Sequence, residues 1–108
     1  MKQVLFAPEV EEDLYQLVKI LVEKEYFGTY EYAVSYVEDM VSYIKESIGT
    51  YPHKNVPQYF YRYGENAKYI TYNKSSKTTW YILFEERDEA FLVTYITNNH
   101  INGQYFNV

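Results

Sequence analysis

Thr78-Thr79-Trp80-Tyr81-Ile82-Leu83-Phe84 is the stretch that decides the fold. It is rich in aromatic and β-branched residues, and Trp80, Ile82 and Phe84 alternate onto one face, as a strand requires. Lys68-Tyr69-Ile70-Thr71-Tyr72 precedes it across a polar loop, Asn73 to Lys77. Phe91-Leu92-Val93-Thr94-Tyr95-Ile96 follows it across the charged turn Glu86-Arg87-Asp88-Glu89, with Leu92, Thr94 and Ile96 alternating against Phe91, Val93 and Tyr95. Three strands joined by short loops predict an antiparallel meander.

Upstream, the period changes from two to that of a helix. Val10, Leu14, Leu17, Val18, Leu21 and Val22 predict a helix from about residue 8 to about 26. Pro8 suits its first turn, Glu9, Glu11, Glu12 and Asp13 complement its dipole, and Gly28 ends it. Thr29 caps a second helix, whose stripe runs Tyr30, Ala33, Val34, Val37, Val41, Ile44 and Ile48 and stops at Gly49 and Pro52. Tyr32, Tyr36 and Tyr43 fall off this stripe, on the flank. The turn between the helices is short, so they are antiparallel neighbours. Val4-Leu5-Phe6 reads as an N-terminal strand. Residues 50–66 read as a loop with a turn or short strand near Tyr59-Phe60-Tyr61, and the tail from Thr97 to Val108 reads as polar. The predicted fold is α+β, one domain over residues 1–108: a helical hairpin packed on a twisted antiparallel sheet of three to four strands, with the sheet's other face open.

Composition bounds the chemistry. The chain has 108 residues, 47% of them hydrophobic, enough for a core. It has no cysteine, which removes disulfides, thiol nucleophiles and cysteine zinc sites. His53 and His100 show no metal-ligand spacing, so neither a metal nor a cofactor is expected. No apolar run approaches the roughly 18 residues of a membrane span, and the first residues lack a signal-peptide pattern; the expectation is a soluble cytoplasmic protein without membrane contact. A net charge of −5 and a pI near 5.0 differ from the strongly basic character of most nucleic-acid binders. The charge is uneven: residues 8–49 carry ten acidic and three basic side chains, whereas residues 54–77 carry five basic and one acidic. Fifteen tyrosines suit half-buried surfaces, and on the helix flanks they permit a homodimer.

This arrangement resembles the RelE/ParE superfamily of toxins from bacterial toxin–antitoxin pairs, many described as plasmid stabilisation proteins. Phe6-Ala7-Pro8-Glu9-Val10-Glu11-Glu12-Asp13-Leu14 is similar to the family's opening, where a short strand meets a Pro-Glu helix start and an acidic Asp-Leu step. Tyr32-Ala33 is similar to a step in the family's second helix. Trp80-Tyr81-Ile82-Leu83-Phe84 resembles its central strand, and Leu92-Val93 with Ile96 its last one. The resemblance implies a helical hairpin on a twisted antiparallel sheet, and a cognate antitoxin that wraps the toxin. It also implies two activities. ParE-like members poison DNA gyrase; RelE-like members enter the ribosome and cleave mRNA.

Ribosome-dependent cleavage makes a 2′-OH attack its neighbouring phosphate, which needs a base, cations and an acid. Carried onto this chain, the family's places give Lys68, His100 and Tyr105 as candidates for a metal-independent endoribonuclease. The arginine place falls near Trp80 or Tyr81, neither cationic. Each candidate also has an ordinary reading: Lys68 as a solvated strand residue, His100 in a polar turn, Tyr105 packing the tail. Trp80 reads as core, Arg62 and Arg87 as surface groups, and His53 as a loop histidine. The ParE-like branch is therefore preferred: a gyrase-directed binding protein silenced by antitoxin. The alternatives are the endoribonuclease and an inactive member that binds antitoxin only.

Overall fold

The computed structural model describes residues 2–23, 29–50, 53–64 and 66–106. Strand β1 (Gln3–Phe6) leads into α1 (Pro8–Glu23) and α2 (Tyr30–Ser47). Then come β2 (Lys54–Asn55), a 3₁₀ helix (Gln58–Tyr63), β3 (Lys68–Asn73), β4 (Thr79–Glu86), β5 (Ala90–Asn98) and α3 (Asn99–Phe106).

Local chemistry sets the helix ends. The amides of Val10 and Glu11 both donate to the Ala7 carbonyl, so α1 begins at Pro8, whose missing N–H costs nothing there. The predicted stop at Gly28 lies outside the described residues, as does Pro52. Thr29 has extended backbone and its Oγ1 accepts from the Tyr32 amide at 3.3 Å, the N-cap arrangement expected. Along α2 the buried stripe runs Ala33, Val37, Met40, Ile44 and Ile48. Met40 is fully buried, whereas Tyr30 is exposed; the sheet-facing stripe is rotated from the predicted one, and this brings Tyr36 and Tyr43 onto the edge of the core.

The sheet is mixed and has five strands, in the order β1-β5-β4-β3-β2. This corrects the expectation of an antiparallel sheet of three to four strands. The meander β3-β4-β5 is antiparallel as predicted, and Trp80, Ile82 and Phe84 do share one face. β1, however, runs parallel to β5, with Leu5 opposite Leu92. A three-residue apolar run carries no signal of partner or direction, so the parallel pairing was not legible. β2 adds two residues on the far edge, opposite Lys68 and Tyr69.

β5 also breaks the predicted alternation. Leu83 faces Tyr95 but Phe84 faces Val93, leaving Thr94 as a bulge. Past the bulge the parity switches. Phe91, Val93 and Ile96 therefore all serve the helix-covered face, while Tyr95 serves the other.

That other face is not open. The 3₁₀ helix and α3 cover it with an aromatic layer: Phe60, Tyr63, Tyr105 and Phe106 pack against Tyr69, Tyr81, Leu83 and Tyr95. Phe106 lies flat on Tyr81, with ring centroids 3.9 Å apart and planes 3° apart. The predicted turn or strand at Tyr59–Tyr61 is thus a 3₁₀ helix, and the predicted polar tail is largely helical, kinked at Asn102 with φ of −126° and ψ of 17°. Gly64 closes the 3₁₀ helix with φ of 125°, and a Cβ there would lie 2.9 Å from Cγ of Glu85, so glycine is required.

Candidate functional site

A groove of about 750 Å³ lies between α1 and one end of the sheet. Its first wall is α1. Leu14, Leu17 and Leu21 recur at spacings of three and four, so they form one stripe, with Ile20 beside it. Trp80 of β4 and Ile96 of β5 line it from the sheet, and Tyr36 reaches in from α2. The second wall is the β3–β4 connection (Lys74, Ser75, Thr78) together with Asn98, His100 and Ile101.

Asparagines hold that second wall in place. Asn98 Oδ1 accepts from the amides of His100 (2.9 Å) and Ile101 (3.1 Å), which starts α3. Asn99 Oδ1 accepts from the Thr79 amide at 2.9 Å, and its Nδ2 donates to the Lys77 carbonyl at 3.1 Å. The hairpin closes on itself through the Lys74 amide and the Thr78 carbonyl, 3.0 Å apart. His100 Nε2 lies 3.1 Å from Thr78 Oγ1. Lys74 Nζ sits 4.7 Å from the centre of the Tyr36 ring and 4.0 Å from Asp39. The rim polar groups are thus largely engaged with one another, and the accessible character of the groove is apolar. Ile20 is 45% exposed and Ile101 67% exposed on either side of it. Such a concavity suits an apolar segment or ligand held by shape.

The three residues carried over from the ribonuclease pattern are not brought together. Lys68 begins β3 opposite Phe84, and its Nζ donates to Asn55 Oδ1 at 2.8 Å. His100 lies beside Thr78, at the other end of β4. At roughly 3.3 Å per strand residue the separation is about 20 Å. Tyr105 is on the reverse face, stacked on Tyr59 with centroids 3.7 Å apart. Among the described residues no group of three or more His, Asp or Glu converges as a metal site would. His53 is more than a loop residue: its Nε2 donates to the Ile48 carbonyl at 2.8 Å and its ring meets the Phe84 ring edge-on.

The reverse face holds a second cluster that the sequence did not announce. The Arg62 guanidinium lies 5.1 Å from the Tyr59 ring centre and 5.0 Å from that of Tyr63. Hydrogen bonding from Tyr105, then from Arg62, lowers the Tyr59 phenol below its ordinary value. Hydrogen bonding to Tyr63, then to Tyr59, raises Arg62. Burial, and then the neighbouring Tyr81, raise Tyr69. Tyr63 stacks on Tyr95 at 4.2 Å. The sequence signal for this cluster was the spacing of Tyr59, Arg62 and Tyr63 on one helical turn, masked by the absence of any longer period. No described helix is long and apolar enough to cross a membrane. Comparison with models of known protein families, with curated proteins and with solved structures finds no match to this chain.

Proposed function

We propose that this protein is the toxin of a toxin–antitoxin pair of the RelE/ParE kind, on its ParE-like branch. In this reading it acts by binding another protein, DNA gyrase being the target implied by the resemblance, and a cognate antitoxin silences it. The observation that carries the reading is the apolar groove of about 750 Å³ along α1, flanked by exposed Ile20 and Ile101. A concavity of that character, edged by exposed aliphatic side chains, is suited to a partner's apolar segment. The element order, a strand, two helices and then a meander, agrees with the frame the resemblance implies.

The separation of Lys68, His100 and Tyr105 speaks for binding over RNA cleavage. In-line attack of a 2′-OH needs its base, its acid and its cation within hydrogen-bond reach of one phosphate. Groups at opposite ends of β4 and on opposite faces of the sheet do not meet that need in this arrangement. The direct test is a supercoiling assay with purified gyrase and purified protein. Supercoiling is expected to be inhibited, with ribosome-bound mRNA left intact. Cleaved mRNA with unimpaired supercoiling would replace this reading with the endoribonuclease.

A further inference from the structure

We propose that the open edge of β1 pairs antiparallel with the β1 of a second copy, joining two sheets into one of ten strands about a two-fold axis at Leu5. This rests on the sheet edge and its residues and stands or falls independently of the toxin reading.

The two edges of the sheet differ. β2 is two residues long, presents exposed Lys54, and runs on into Pro57. Short length, an edge lysine and proline are the usual guards against strand addition. β1 is four residues long and carries no guard within the strand itself, Lys2 and Pro8 flanking it. Gln3-Val4-Leu5-Phe6 contains no charge and no proline, and Leu5 is 46% exposed. Among the described residues no strand lies on its outer side.

The backbone is set for a symmetric partner. The amides of Gln3 and Ala7 donate inward, to the carbonyls of Glu89 and Val93. By the two-residue period, the amides and carbonyls of Val4 and Phe6 point outward. An axis through Leu5 and perpendicular to the sheet puts Val4 opposite Phe6 of the copy, twice. Both become hydrogen-bonded pairs, and the four outward amide and carbonyl groups of each strand all find partners. Leu5 then faces its own copy in a non-hydrogen-bonded pair, where side chains approach most closely. Val4 and Phe6 pack against the core on the helix side. Leu5 lies on the opposite face and is free to pack across the axis.

Space agrees with this register, which sets Lys2, held by Glu86 of its own chain, opposite Pro8 of the copy. α1 takes its sheet contacts chiefly from β5, one strand inward, which leaves room for the copy's α1. The contact is isologous and closes at two copies.

The test uses the full chain and two substitutions at the exposed Leu5. Sedimentation up to near-millimolar concentration is expected to show a monomer–dimer equilibrium. Leu5→Lys sets like charges opposite each other and is expected to weaken it by roughly tenfold or more, with circular dichroism and unfolding unchanged. The chain has no cysteine of its own, so Leu5→Cys introduces a single thiol. Non-hydrogen-bonded pairs place Cα atoms about 4.5 Å apart, within disulfide reach. On mild oxidation Leu5→Cys is expected to form covalent dimer roughly tenfold faster than Glu38→Cys, an exposed position on α2. A monomer at every concentration, a dimer that Leu5→Lys leaves intact, or equal cross-linking of the two cysteine variants would overturn the proposal.

Discussion

Trp80 and Tyr36 join the two layers of the fold: the indole Nε1 of β4 donates to the phenol oxygen of α2 at 3.0 Å. Trp80 is buried, so its N–H has little recourse to water. Tyr36→Phe keeps the ring, with Lys74 over its face, and removes the hydroxyl that accepts from the indole. The expected loss is about 1 kcal/mol, the usual net value of one such bond. Urea unfolding followed by Trp80 fluorescence reads it, and an unchanged midpoint would mean the indole finds another acceptor.

Phe84 is fully buried at the centre of the helix-side core, meeting His53 and Phe91 edge-on. Phe84→Ala is expected to cost about 3–5 kcal/mol, as cavity-forming substitutions of phenylalanine do. Equilibrium denaturation measures it. A loss below about 1 kcal/mol would show that the layers collapse into the space.

The meander, the helical hairpin and the Thr29 cap were legible because each rests on a local rule: a period of two, a period near 3.6, or a capping side chain. The reverse face was not legible for the same reason. The 3₁₀ helix at Gln58–Tyr63 is too short to show a period, and α3 carries Gly103 and three asparagine or glutamine side chains in eight residues. Its one available signal was Asn98, whose side chain caps the helix. The Thr94 bulge was likewise invisible, since alternation reads cleanly on either side of it. Of the groove, the sequence showed the α1 stripe and Trp80, but their meeting with His100 and Lys74 depends on long-range packing.

The aromatic layer makes α3 part of the core. Phe106 stacks on Tyr81 and, at 4.9 Å, on Phe60. Phe106→Ala is expected to destabilise the whole chain by about 3 kcal/mol. Hydrogen exchange would show faster exchange at β3 and β4 amides as well as in α3. Faster exchange confined to α3 would show that this helix is an independent flap.

Glu86 gives a pH signature. Hydrogen bonding and then charge attraction from Lys2 lower its carboxyl below the ordinary value of 4.5. A depressed folded value contributes stability that is fully present above the unfolded value and is lost as pH falls through the folded one. The Lys2 contact should therefore help stability above pH 4.5 and fade below it. Comparing Glu86→Gln with the parent chain across pH 3 to 6 should show a difference that shrinks towards acid; a constant difference would assign the effect to something other than titration.

The groove predicts a clean separation of binding from folding. Ile101 is exposed, so Ile101→Glu should alter stability by no more than about 0.5 kcal/mol. In the proposed toxin reading it should weaken capture of a cognate antitoxin by roughly tenfold, a loss of about 1.4 kcal/mol. Titration calorimetry with the co-expressed antitoxin reads the second effect and thermal unfolding the first. Unimpaired binding would move the interface away from the groove.

In the proposed ParE-like reading the protein acts by binding a target in DNA metabolism. Pulse-labelling of DNA and protein synthesis after induction of this chain alone in a bacterial host tests it most directly. DNA synthesis is predicted to fall first, with Lys68→Ala, His100→Ala and Tyr105→Phe variants that fold remaining as toxic as the parent. Protein synthesis falling first, with toxicity abolished in the folded His100→Ala variant, would contradict the account and assign the chain to the ribosome.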